Sequence, residues 1–241
     1  MIESINNEKI KYYTKLNDKK YRKEYSLFVA AGEHLVDEAF KKGFVKEILL
    51  LKGEENIYGD KVTYVTGDIL KKVSNLSTNP KVLAICYIPE NNDIKGNAII
   101  LDDIKDPGNL GTIIRSAVAF NYETVILSPN SVDIYNPKVV RATEGMLFNI
   151  NIIIKDLPEI ISILKDMNYL VYGTDVTGGE LPFKEERPHA LIIGSEANGM
   201  SDDVKNLCDK YVYIPMNKAC ESLNAGVSAS ILMYELGCKN E

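Results

Sequence analysis

From residue 98 onward, short apolar runs rich in Ile, Val and Leu alternate with amphipathic stretches, and few folds satisfy that alternation. Strands are predicted at residues 98–101, 124–127, 150–154, 170–172, 190–193 and 211–214. Helices are predicted at 109–120, 137–144, 158–167, 202–208 and 223–236. The strands read as continuous apolar runs, not as one-in-two alternation, which is the pattern of strands buried on both faces. Such β/α order implies an α/β domain with a parallel sheet between two layers of helices. Open sheets of this class take their ligands at the carboxyl ends of the strands, so the loops there are where chemistry is sought.

The N-terminal part is less regular. A helix at 32–42, with Leu35, Val36, Ala39 and Phe40 on one face, is followed by strands at 45–51, 62–65 and 82–88 and a helix at 68–76. That order suggests a smaller α/β sandwich. Residues 89–97 are polar with Pro89 and Gly96 near the ends, the composition of a linker. Two domains are therefore expected, 1–92 and 93–241. At 241 residues and 45% hydrophobic content the chain can bury a substantial core without disulfides.

Charge is divided unevenly between the two parts. The chain carries −6 overall, yet residues 1–92 hold 15 Lys and Arg against 13 Asp and Glu, whereas residues 93–241 hold 13 against 21. Seven basic residues (Lys9, Lys11, Lys15, Lys19, Lys20, Arg22 and Lys23) crowd between positions 9 and 23 with one acid, Asp18, and with Tyr12, Tyr13 and Tyr21 among them. Cations interleaved with aromatics suit RNA, through phosphate contacts and base stacking. The first residues lack a basic segment followed by an apolar core, and no apolar run approaches the ~20 residues of a membrane span, so a cytoplasmic protein is expected. Cys86, Cys208, Cys220 and Cys238 show no metal-binding spacing and read as buried reduced thiols. With only His34 and His189, a metal cluster or a histidine triad is not expected, and neither a P-loop nor a G-x-G-x-x-G cradle is present.

Three polar segments stand at strand ends. In the first, residues 98–101 run into Asp102-Asp103, Asp106-Pro107-Gly108-Asn109 forms a capping turn, and the helix buries Leu110, Ile113, Ile114, Ala117 and Val118. Gly111, Thr112 and Arg115 share its other side, so Arg115 is expected beside a glycine that leaves room for a ligand. The second, Gly194-Ser195-Glu196-Ala197-Asn198-Gly199, sets two glycines around a carboxylate. Alone, it reads equally as a strand-to-helix turn capped by Ser201. The third runs from Ile214-Pro215-Met216 to Glu221-Ser222-Leu223-Asn224, just before a helix opening with small residues.

Together the three segments resemble the signature motifs of the SpoU/TrmH family of RNA ribose 2′-O-methyltransferases, and the resemblance covers nearly the whole chain. Arg141 within residues 136–142, and the opening from Ile2-Glu3-Ser4 to Gly32-Glu33-His34, are similar to the subgroup that modifies large-subunit ribosomal RNA. The resemblance implies a C-terminal SPOUT domain with a trefoil knot, a smaller N-terminal L30e-like RNA-binding domain, S-adenosylmethionine as cofactor, and a homodimer with sites at the subunit interface. It implies that Gly194, Gly199, Ile214, Met216 and Leu223 hold the cofactor. Asn109, Arg115, Glu196, Ser222 and Asn224 would form the catalytic cluster, and Arg141 would join the basic stretch in binding RNA. The chain departs from the family pattern at Ala31, Lys218 and Ala225-Gly226 without losing a catalytic position.

The reaction implied is attack of a ribose 2′-hydroxyl, in 23S ribosomal RNA and on a guanosine, on an already activated methyl group. The protein then has to align the reactants and manage one proton. The family assigns that proton to the arginine. A guanidinium is normally not deprotonated in proteins, so an equally physical role for Arg115 is to clamp phosphate and leave the proton to Glu196, phosphate or water. The competing expectations are a transfer-RNA ribose methyltransferase and a non-catalytic RNA-binding assembly factor.

Overall fold

The computed structural model describes residues 1–90, 93–176 and 178–237. It divides into two compact units, one built from Met1–Glu90 with Asp133–Asn149 and the other from the rest of the described chain. In the first, helices α1 (Glu8–Thr14) and α2 (Lys19–Tyr25) precede β1 (Leu27–Ala31), α3 (Glu33–Lys41), β2 (Val45–Leu51), β3 (Val62–Val65), α4 (Gly67–Ser74) and β4 (Val82–Tyr87). Asn7 and Asp18 cap the first two helices through their side chains, each accepting a backbone N–H two residues on. The strands form a four-stranded sheet in the order β1-β4-β2-β3, antiparallel except for the β2–β3 pair. Ile10, Tyr13 and Leu16 of the N-terminal helices pack with Leu27, Val29, Leu49, Ile69, Leu70, Val73, Leu83 and Ile85 as one core.

The chain continues through β5 (Asn97–Asp102), α5 (Pro107–Ala119) and β6 (Tyr122–Leu127), then returns to the first unit as α6 (Pro137–Ala142) and a short 3₁₀ turn. It resumes in the second unit with β7 (Asn151–Ile154), α7 (Leu157–Asp166), β8 (Leu170–Thr174), β9 (His189–Gly194), α8 (Asp202–Lys205), β10 (Lys210–Val212) and α9 (Ala225–Leu236). The break after Glu90 falls in the predicted linker, but 93–241 is not one uninterrupted body. Asp133–Asn149 leaves because its aromatic residues find partners in the first unit: Phe28 packs on Tyr135 and Phe148, and Phe44 on Phe148.

The second sheet has six strands in the order β10-β8-β9-β5-β6-β7, all parallel. Ala98, Ile100, Ile126, Ile153, Val171, Ala190 and Ile192 face α7 and α8, sharing a core with Ile160, Ile161, Leu164 and Val204. The alternate residues Ile99, Leu101, Val125, Leu191 and Ile193 are also buried, as are the inner faces of α5 and α9. Both faces are thus covered, which is why these strands read as unbroken apolar runs. Strand order reverses at β5 and β9, so a crevice opens beyond their carboxyl ends.

Helices α5 and α9 pack closely through small residues. A Cβ on Gly226 would stand 3.2 Å from Thr112 Cβ and Cγ2, and Ser116 Oγ lies 2.7 Å from Ser230 Oγ. Gly111, expected to leave room for a ligand, is itself buried, so the glycine that permits close approach here is Gly226.

Candidate functional site

At the carboxyl end of the parallel sheet the second unit encloses a cavity of about 780 Å³. That volume lies in the range of small-molecule sites, ~300–1,000 Å³. Its walls include Thr174, Asp175 and Val176 beyond β8, Ile193 and Gly194 ending β9, Glu196, Asn198 and Gly199 in the following loop, and Lys205 of α8. Ile214, Met216, Ser222, Leu223 and Asn224 close it from the segment between β10 and α9. All five residues assigned to cofactor binding therefore line one cavity, together with Glu196, Ser222 and Asn224 from the catalytic set.

The loop after β9 is closed on itself. Ser195 and Gly199 exchange backbone hydrogen bonds at 3.0 and 2.9 Å, and Ser195 Oγ accepts from the Asn198 N–H at 3.2 Å. Gly199 adopts φ +67°, a left-handed conformation, whereas Gly194 is needed for another reason. A Cβ there would collide with the backbone of Gly199 and Met200, which returns across it. Asp102, buried at the end of β5, accepts the Ser201 N–H at 2.7 Å and fixes the far end of the loop. Glu196 is thereby presented from a tight turn.

Asn109 links the motifs. Asp106 caps α5 by accepting the Asn109 N–H at 2.8 Å, which places the Asn109 side chain at the first turn. Its Nδ2 donates to Glu196 Oε1 at 2.6 Å, and its Oδ1 accepts from Asn224 Nδ2 at 2.8 Å. Asn224 in turn caps α9, its Oδ1 accepting the N–H groups of Gly226 and Val227 at 3.0 and 3.2 Å. Four predicted catalytic residues, Asn109, Glu196, Ser222 and Asn224, are thus brought to one place. Arg115 lies further along α5, exposed, with no hydrogen bond or ion pair among the described residues, and outside the cavity wall.

Thr174, Asp175 and Lys205 are cavity residues that the motif analysis did not single out. A signal existed for the first two, which follow directly on a parallel strand. Lys205 sits on a one-turn helix with nothing in its spacing to mark it.

The basic stretch separates into distinct roles. Arg22 is 3% exposed and not a phosphate contact: its Nε and Nη2 donate to Asp133 Oδ2 at 3.0 and 2.6 Å, and its Nη1 to the Leu16 carbonyl. Lys9 pairs with Glu47 at 2.5 Å and Lys11 with Glu8 at 2.7 Å. Burial alone would raise the Glu47 carboxyl, but hydrogen bonds from Lys9, Thr63 and Tyr13 hold it below the usual range. Lys15, Lys19, Lys20 and Lys23 are exposed and without ion pairs among the described residues. Lys15 and Lys20 stand 5.2 and 5.6 Å from the ring centre of Tyr21. Tyr21 packs at a tilt against Tyr25, and Tyr25 against Tyr12 with ring centres 4.4 Å apart. Arg141, exposed at the end of α6, belongs to the first unit and not to the second.

Among the described residues no His, Cys, Asp and Glu grouping could hold a metal ion, and no helix is long and apolar enough to cross a membrane. Cys86 is buried and Cys208 partly so, but Cys220 is exposed, contrary to expectation, because the loop before α9 carries it away from the core. Cys238 lies outside the described residues. His34 meets the Glu144 carbonyl at 3.1 Å, a structural contact within the first unit.

The chain matches two family profiles, the SpoU rRNA Methylase family over residues 96–234 and an MRM3-like substrate binding domain over residues 7–84. It is 37% identical to the Bacillus subtilis 23S rRNA (guanosine(2553)-2′-O)-methyltransferase RlmP, with 98% of each chain covered. Among solved structures it resembles the SpoU methyltransferase AviRb of Streptomyces viridochromogenes in complex with AdoMet, at TM-score 0.85 and 26% identity over 95% of this chain and 97% of that one. It also resembles an AdoMet-bound rRNA methyltransferase from Sinorhizobium meliloti, at TM-score 0.87 and 25% identity over 97% and 95%. With one profile spanning more than half of its length and a full-length relative at 37% identity, the chain belongs to the SpoU rRNA methylase family.

Proposed function

We propose that this protein transfers a methyl group from S-adenosylmethionine to the ribose 2′-hydroxyl of a guanosine in 23S ribosomal RNA. The observation that carries the proposal is end-to-end similarity to a relative named for that reaction. The cavity fits the cofactor. Its apolar side chains, Ile193, Ile214, Met216, Leu223 and Leu232, suit a purine, and its polar rim suits a ribose and an amino-acid tail. When bound, S-adenosylmethionine supplies a methyl group already activated on a sulfonium, so the protein contributes alignment and the handling of one proton. Gly194, Gly199, Ile214, Met216 and Leu223 hold the cofactor, while Asn109, Glu196, Ser222 and Asn224 face the reacting groups.

Arg115, a cation without an ion pair or hydrogen bond among the described residues, clamps the phosphate next to the target ribose. The first unit recruits RNA through Lys15, Lys19, Lys20 and Lys23, with Arg141 contributing from α6. The protein works in the cytoplasm as a homodimer, and Val227, Ile231 and Tyr234, spaced along one exposed face of α9, form part of the subunit contact. The family's trefoil knot belongs to the same proposal.

The test is methyl transfer from labelled S-adenosylmethionine to unmodified 23S transcripts, with the modified nucleotide mapped and Arg115→Ala run alongside. Methylation at a guanosine ribose is expected, lost in the variant while product affinity stays within a few-fold. Labelling of transfer RNA instead, or binding without labelling, would assign one of the two competing functions.

A further inference from the structure

We propose that a row of tyrosines on the first unit, open at Tyr21 and at Tyr87, is a stacking platform for nucleotides, so that this unit grips RNA where its bases are unpaired. The inference rests on the RNA substrate proposed above and names the form of RNA that the first unit holds. Tyr21 packs against Tyr25 with ring centres 5.7 Å apart, and Tyr12 lies between Tyr25, at 4.4 Å, and Tyr13, at 5.6 Å. Burial and then Glu47 push the Tyr13 phenol up, and the neighbouring Tyr12 and Tyr87 add to the shift, which sets Tyr87 on the same patch. Tyr87 ends β4, paired with Leu27 of β1 just beyond Tyr25.

Burial accounts for the inner rings of the row and not for the outer two. Tyr13 is 3% exposed and its hydroxyl donates to Glu47, while Tyr12 and Tyr25 lean on the core of the unit. Tyr21 stands outside that core, half-buried, and Tyr87 is 50% exposed. Neither of their hydroxyls makes a hydrogen bond among the described residues. Both outer rings are instead attended by cations. The Nζ atoms of Lys15 and Lys20 lie 5.2 and 5.6 Å from the ring centre of Tyr21, and that of Lys46 lies 5.9 Å from the ring centre of Tyr87. An aromatic face beside an ammonium group matches the two halves of a nucleotide, a base to stack and a phosphate to neutralise. A duplex keeps its base faces between neighbouring pairs, so only an unpaired base can lie on such a ring. Lysines alone would serve any polyanion, and the tyrosines add the distinction between strands and duplex. Lys9 and Lys11 take no part, being engaged by Glu47 and Glu8.

The test uses the full-length protein and one labelled ribonucleotide strand without self-complementarity, presented alone and annealed to its complement. Tyr21→Leu and Tyr87→Leu should each weaken binding of the single strand by about five-fold or more, the least that losing one stacked base costs. Binding of the duplex should stay within about two-fold of wild type, and so should single-strand binding by Tyr21→Phe and Tyr87→Phe, which keep the ring. The salt slope of the leucine variants should equal that of wild type, because no phosphate contact is removed. A direct readout comes from Tyr21→Trp. The chain contains no other tryptophan, so its emission reports this one position, and the single strand should quench it while the duplex does not. Leucine variants that bind the single strand like wild type, or that lose strand and duplex alike, would overturn the platform, as would an emission that the strand leaves unchanged. Methylation of 23S transcripts by the wild type is scored separately. Methylation with unaffected leucine variants counts against the platform alone, and the expected strand binding without methylation counts against the proposed reaction alone.

Discussion

Two buried side chains show what sequence can and cannot disclose about a single residue. Arg22 sits among lysines and reads as one more surface cation, because nothing in local spacing announces an ion pair with Asp133, 111 positions later. Folding turns it inward, and the Asp133 carboxylate and the Leu16 carbonyl replace its water. Removing one member of such a pair strands the other charge, at a cost of about 3–5 kcal/mol. Arg22→Ala should therefore lower the urea midpoint strongly. Replacing both residues by apolar ones of similar size should cost less than that single change, a reversal a surface phosphate contact would not show. His189 is the second case. It is fully buried, with Nε2 against the Tyr122 hydroxyl at 2.7 Å and Nδ1 against the Arg187 carbonyl, and burial lowers its proton affinity below the ordinary imidazole range. The unfolded chain takes up that proton near pH ~6.5 while the folded chain does not, so stability present above that pH is lost as pH falls toward the depressed folded value. His189→Gln, which retains a donor and an acceptor but does not titrate, should flatten the fall of the urea midpoint as pH drops below the ordinary imidazole range. An unchanged slope would mean that other groups set the acid response.

Elements were more legible than residues where periodicity reports burial. The apolar runs of the second unit foretold parallel strands to within a residue or two, since the central ones are covered on both faces. Strand β1 and helices α1 and α2 were not assigned. The helices are only seven residues each, too short to establish a 3.6-residue period. The packing of α5 on α9 also lay beyond reach, because small residues at a crossing leave no hydropathy signal. Its consequence is measurable at Gly226. A Cβ there meets Thr112 at 3.2 Å and Asn224 Oδ1 at the same distance, a tight fit that a small adjustment can absorb. Helix propensity favours Ala over Gly by up to about 1 kcal/mol, less near a helix start, so Gly226→Ala should change stability little. Gly226→Val adds two methyl groups to the same gap and should cost about 1–3 kcal/mol by overpacking. It should also weaken methyl transfer, because prising α9 from α5 opens the Asn224–Asn109 hydrogen bond. Partial rescue by Thr112→Gly would locate the cause in this contact.

At the scale of the whole molecule, charge asymmetry was visible from composition, but the path of the chain was not. Asp133–Asn149 carries Tyr135, Val140 and Phe148 into the first unit, so a cut near residue 92 would bare those side chains and leave Asp133 without Arg22. The fragment 93–241 is therefore expected to aggregate, and the division of labour between the units is better tested in the intact protein. Lys15, Lys19, Lys20 and Lys23 offer the means, being exposed and without ion pairs among the described residues. Each phosphate neutralised on a single strand contributes about 0.7 to the slope of log K against log salt, so four such contacts contribute about 3. Replacing all four lysines by glutamine should reduce the salt slope of 23S RNA binding by roughly that amount. Affinity for S-adenosylhomocysteine, whose proposed site lies in the other unit, should not change. Lys9→Gln and Lys11→Gln make a matched control, since both cations are already engaged by Glu47 and Glu8. A quadruple variant with the wild-type salt slope would show that RNA is held elsewhere, with Arg141 and Arg115 the next cations to examine. A loss of slope accompanied by weaker cofactor binding would mean instead that the substitutions had disturbed the fold.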